Sequence, residues 1–336
     1  MTEQARRRHY GGWIVLICVL AAIIAALAIF NQVGYGNNLV VKIQDFYQGQ
    51  TYQPSAEMAR IKKDLQLTEK GEFLFNAARP ELMSAADFNA HCRNGASETA
   101  VLGCYTGGNI YVYNITDSEL NGIRELTSAH ELLHAVYARM SDEERAGLVE
   151  PLTRTFDAHQ DYLGEEINNY DSSQKQEELY VRAGTEVADL PEALERHYAQ
   201  FFKDQDAIVA FYNSYINVFR ALKSEMSTLK SEMEAINTDV TAKTAEYERR
   251  SAQLSADIVS FNSCAKVTGC FSTEDEFTIR REALLAEQAA LEQLYNEIND
   301  LIAAYNAKVE IYNADVSHGE QLNNLINSAA EPQVVK

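Results

Sequence analysis

The chain has 336 residues, 46% of them hydrophobic and 23% charged, and a formal net charge of −20. That is enough apolar material for a folded unit with a core and a second region besides. Acidic residues are spread along the chain, so nucleic acid and other polyanionic partners are excluded because the surface would repel them.

Residues 13–30, WIVLICVLAAIIAALAIF, contain no charged or strongly polar group. Extended by Gly11 and Gly12, residues 11–30 approach the roughly 20 residues that span a bilayer as a helix. The expectation is a single transmembrane helix over 11–30. Arg6, Arg7 and Arg8 precede it, whereas the residues that follow, NQVGYGNN, are uncharged. The positive-inside bias therefore makes residues 1–10 a cytoplasmic tail and puts the rest of the chain outside the plasma membrane. A cleaved signal peptide is the competing reading, with Ala26, Leu27 and Ala28 as its A-x-A site. Against it, the apolar run exceeds the roughly 7–15 residues of a signal core, and the A-x-A lies inside that run.

Residues 31–70 are polar, with the short amphipathic piece AEMARIKKDLQL, and read as a juxtamembrane stalk. Residues 71–204 form the expected main domain. Cys92 with Cys104 and Cys264 with Cys270 are close in sequence. Short loops close at little entropic cost, so local pairing into two disulfides is expected, as suits an exported chain. Neither pair has the C-x2-C spacing of a zinc knuckle.

Residues 109–116, NIYVYNIT, alternate β-branched and aromatic side chains and predict a strand. A helix is expected through LNGIRELTSAHELLHAVYARM. Ser141, with Glu144 three residues on, predicts the capped start of another. Two more helical segments are expected within 174–203, with Pro191 in a first helical turn.

From about residue 205 the pattern changes. Leu222, Met226, Leu229, Met233, Ile236 and Val240 alternate spacings of four and three, and Tyr247, Ser251, Leu254, Ile258 and Phe261 resume the alternation after a stutter. Leu291, Tyr295, Ile298, Ile302, Tyr305, Val309, Tyr312 and Val316 form a second seam. Joined by CAKVTGC, the two arms predict an antiparallel coiled-coil hairpin over 205–318, a surface able to recruit a protein partner, followed by a polar tail over 319–336. The fold class expected is mainly α with a small β-sheet.

Within the central helix, His130, Glu131 and His134 have the spacing H-E-x-x-H. Residues four apart share one helix face, so both imidazoles can reach one ion. With seven histidines in the chain, the chance expectation for this pattern is on the order of one in a hundred. The alternative is an ordinary helix that carries two histidines.

With the strand before it, this segment resembles the strand and active-site helix of zincin metallopeptidases. The metzincin continuation would need Gly and His at 137 and 140, where this chain has Tyr137 and Met140. The resemblance is to the gluzincin branch, with its thermolysin-like core. It implies a zinc ion, Glu131 as general base, a peptide or protein substrate extended along residues 109–116 as the edge strand, and a third ligand from a later helix. Glu178 is the first candidate for that ligand and Glu186 the second. Glu178 departs from the family's N-E-x-x-S-D pattern, with Glu177 before it, Val181 three places on and Arg182 where an aspartate would lie. Asp189 could orient an imidazole from behind, and His197 could stabilise an oxyanion. A rival reading from another class is a non-catalytic surface scaffold with a structural or vestigial zinc site.

Overall fold

The computed structural model describes residues 35–92, 101–168 and 170–328. The expected anchor over 11–30 lies outside the described residues. No described helix is long and apolar enough to cross a membrane.

The described residues divide into two compact units, one running to Asn217 and taking up the chain again from Asn324, the other Val218–Asn323. The first opens with α1 (Tyr35–Thr51), α2 (Ala56–Asp64) and α3 (Glu69–Ala77). Ser55 and Thr68 cap α2 and α3 by accepting from the backbone N–H of Met58 and Gly71, groups a helix start leaves without partners. Met58, Ile61 and Leu65 are fully buried in the main core. The segment expected to be a stalk therefore belongs to the fold. The amphipathic piece AEMARIKKDLQL supplies these residues, and its apolar face packs into the core.

A small sheet follows, built from β1 (Glu81–Met83), β2 (Gly103–Thr106) and β3 (Asn109–Tyr113) in the order β1-β3-β2. β3 pairs parallel with β1 and antiparallel with β2. Ile110 and Val112 point into the core while Tyr111 and Tyr113 pack on the other face beside α4 (Ala85–Cys92). The strand expected over 109–116 forms, but it is the central strand and not the expected edge, because β1 and β2 pair with it on both sides; β2 is the sheet edge on that side. Cys92 and Cys104 are disulfide-bonded, tying α4 to β2.

Helix α5 (Ile123–Tyr137) crosses beneath the sheet, with Ala129, Leu132, Leu133 and Ala135 fully buried. The expected capping box of Ser141 and Glu144 opens α6 (Asp142–Ala158). Then come α7 (Gln160–Ile167), α8 (Ser172–Glu186) and α9 (Glu192–Tyr198), the last started by Pro191 as its N-cap. Helices α5 and α8 approach closely at Gly184. A Cβ there would lie 2.5 Å from Leu133 Cδ1 and 2.6 Å from Tyr198 Cε1. Only a residue without a side chain lets the two helices meet at that distance.

The rest is α10 (Gln205–Ala265) and α11 (Glu274–Ile326). In the second unit, Lys243 pairs with Glu297 at 2.6 Å, Arg250 with Glu287 at 2.8 Å, and Lys308 with Glu232 at 2.7 Å. Partner numbers rise on one helix as they fall on the other, so the two run in opposite senses. Cys264 and Cys270 are disulfide-bonded in the turn. Within the stretch 291–302 of α11, Leu291, Leu294 and Ile298 are buried, while Tyr295 and Ile302 are exposed. The seam of the second helix is therefore rotated by about one residue from the expected one at Tyr295 and Ile302.

Candidate metal centre

Two helices bring three side chains together. Helix α5 presents His130 and His134 from one face, and α8, held against it at Gly184, presents Glu178. One ligand atom from each lies within 4.8 Å of the others. Nε2 of His130 is 3.6 Å from Glu178 Oε1, and Nε2 of His134 is 3.5 Å from Glu178 Oε2. Both imidazoles thus aim the same nitrogen at one carboxylate. The gaps exceed normal hydrogen-bond lengths, so the three groups converge on a shared point without bonding one another directly.

The nitrogen of His134 on the far side of the ring is fixed by Glu177, whose Oε1 lies 2.9 Å from Nδ1. A carboxylate only accepts, so Nδ1 carries the proton there, and a neutral His134 keeps its Nε2 lone pair toward Glu178. Glu178 is itself held by Arg182, which donates from Nε to Glu178 Oε1 at 2.8 Å and from Nη1 to Glu186 Oε1 at 3.0 Å. Glu178 and Glu131 are only 4% and 5% exposed. Burying carboxylates to that degree is costly unless cations and donors compensate for the lost water.

The titration of the cluster reflects this crowding. Burial pushes His130 down to about 3; Glu178 attracts its proton, but charged His134 and Arg182 oppose it. For His134, burial acts downward too, but the hydrogen bond to Glu177 and the nearby negative charges of Glu178 and Glu131 carry it up to about 10. Burial would raise Glu178, yet His130, His134 and Arg182 hold it down at about 2. A cation bound here competes with the proton on His134 and replaces it as the charge that Glu178 faces.

Glu131 faces strand β2. A Cβ built on Gly103 would lie 2.7 Å from Glu131 Oε1 and Cγ, and 2.5 Å from Thr127 Cγ2. The backbone of the edge strand therefore runs directly over the carboxylate.

The other candidates lie elsewhere. Glu186 is outside the converging group and accepts from Arg182. Asp189 is exposed, with φ at 54°, in the turn after α8, and the carboxylate that faces His134 Nδ1 is that of Glu177. His197 packs its ring against Tyr180, Tyr198 and Phe201, and its Nε2 lies 3.0 Å from the Tyr180 hydroxyl. Burial, reinforced by Lys70, lowers it to about 4. Tyr180 is two residues beyond Glu178, on the opposite side of α8, so these contacts place His197 in the aromatic core and not beside Glu178.

The roles of Glu177, Arg182 and Gly103 emerge only from the structure. The run Glu178, Arg182, Glu186 at steps of four is a visible i,i+4 ladder and could have revealed the arginine clamp. Gly103 had no such signal, because its importance comes from a helix that follows it by twenty residues or more. No protein-family model, curated protein or solved structure matches this chain.

Proposed function

We propose that the chain is a membrane-anchored, zinc-dependent peptidase of gluzincin type, with His130, His134 and Glu178 as ligands and Glu131 as general base. The observation that carries the reading is the convergence of two Nε2 atoms and one carboxylate, with a second buried carboxylate, Glu131, whose charge acts on His134. Two imidazoles and a carboxylate form a donor set suited to zinc in an open, catalytic site. Four-coordinate zinc with bonds of about 2.0–2.2 Å separates its ligands by roughly 3.3–3.6 Å. The 3.6 and 3.5 Å gaps support that fit.

When bound, the ion would polarise a carbonyl and lower the pKa of water to about 7. The chain's own groups do the remainder. Glu131, one position along α5 from His130, takes a proton from water and returns it to the departing amine. Among the described residues no further strand pairs with the outer edge of β2, which would receive an extended peptide, and Gly103 lets that strand run over Glu131 without displacing it. Glu177 holds the His134 ring, and Arg182 with Glu186 holds Glu178. The two-helix region would serve as a coiled-coil surface for a protein partner.

The test is metal content and cleavage together. The purified full chain should carry about one zinc and cut members of a broad unfolded-peptide library, while Glu131→Ala keeps fold and metal and cuts nothing. A wild type that binds one zinc yet cleaves no peptide would instead establish the scaffold reading.

A further inference from the structure

We propose that the outer face of α1, formed by Val40, Ile43, Phe46 and Tyr47, lies in the lipid interface of the membrane entered by residues 13–30. This rests on the membrane-anchor part of the function proposed above and is independent of the peptidase chemistry.

The four side chains are between 61% and 70% exposed, an unusual concentration for one helix of a folded unit. At 100° per residue they form one stripe about 120° wide. The opposite side of α1 is committed to the protein. Asp45 is buried, and both of its oxygens accept from Arg139 at 2.8 Å. At Gly49 a Cβ would touch Ala77 and Asn76 of α3 at 3.6 and 3.8 Å. The apolar stripe thus points away from the unit that α1 is bound to, and it contains no charge. Exposed Lys42 stands beside the stripe, where a long cationic side chain can reach headgroups.

What covers this face follows from the chain that precedes it. Residues 13–30 are uninterruptedly apolar, and only five peptide links separate Phe30 from Tyr35, the first residue of α1. Those links reach at most about 18 Å. A helix starting that close to the exit of a membrane segment has the bilayer surface within reach of its whole length of roughly 26 Å. Like every described helix, it is not long and apolar enough to span the bilayer. An amphipathic helix of this kind lies in the plane of the interface.

Such placement would also orient the candidate site. Arg139, which grips Asp45, donates to Ala135 O at 2.7 Å and to the Tyr105 hydroxyl at 2.9 Å, so α1 is fastened to the end of the histidine helix and to β2.

Trp13 is the single tryptophan of the chain, and it lies in the apolar segment. The full chain is reconstituted in phosphatidylcholine vesicles that contain lipids brominated high on the acyl chain. Quenching of Trp13 in the wild type tests the anchor. In the Trp13→Phe background, Phe46→Trp tests the helix, Ile43→Trp repeats the test should the first variant misfold, and Val149→Trp, an exposed position on α6, is the control. The expected result is loss of most of the emission at 46 or 43, with a blue shift, and none at 149. Unquenched emission at both 46 and 43 beside a quenched Trp13 overturns the proposal while leaving the anchor intact. Quenching at 149 equal to that at 46 overturns it as well. An unquenched wild-type Trp13 removes the anchor, and the proposal with it.

Discussion

The layer formed by α5 and α8 and the antiparallel pair α10 and α11 treat charge in opposite ways. In the first, Glu131 and Glu178 are buried and Arg182 is mostly so, and each charge depends on specific neighbours. In the second, Lys243, Arg250 and Lys308 meet their glutamates with side chains that are 26–58% exposed. The difference indicates where to look for chemistry. Surface pairs contribute little and tolerate loss, whereas a buried carboxylate must be compensated by a proton, a cation or a metal. Apolar seams hold the second region together; the first accepts polar groups in its interior, and a bound ion would account for that.

This contrast orders the expected effects. The largest is at the base: Glu131→Gln should lower peptide cleavage by about 10²–10⁴-fold with metal content unchanged, checked by single-turnover kinetics and metal analysis. Next is the ligand. Glu178→Ala should weaken metal binding by more than the roughly 10–100-fold typical of supporting residues, and Glu177→Gln or Glu186→Gln should fall within that range, checked by chelator competition. Gly103→Ala should keep the metal, lower cleavage, and cost about 1–3 kcal/mol of stability, because the new methyl would overlap the space of Glu131 and Thr127. In the second region, Ile298→Ala should cost about 2–5 kcal/mol in denaturant unfolding. The smallest effect belongs to Arg250→Ala. Although the Arg250 pair with Glu287 has good geometry, its loss should not measurably change the unfolding midpoint.

Elements governed by local periodicity were legible in the sequence. The H-E-x-x-H face, the capping box at Ser141, the strand at 109–113 and both local disulfides required only nearest neighbours along the chain. Contacts between elements were harder to see. The stalk reading failed because Met58, Ile61 and Leu65 find their partners in helices far along the chain. Glu178 could be proposed, but the choice over Glu186 depended on which turn of α8 meets α5, a matter set by Gly184 against Leu133 and Tyr198. The seam of α11 was misplaced at Tyr295 because Leu294 and Tyr295 are both apolar, and only the facing helix decides between them.

The most direct test of the metal centre is X-ray absorption at the zinc edge on the full chain loaded with one equivalent of zinc. Coordination by two imidazole nitrogens and one carboxylate, at about 2.0–2.2 Å, is the expected result, with one imidazole lost in His130→Ala and the carboxylate lost in Glu178→Ala. A shell of water alone, a sulfur ligand, or a spectrum unchanged in both variants would contradict the assignment of His130, His134 and Glu178.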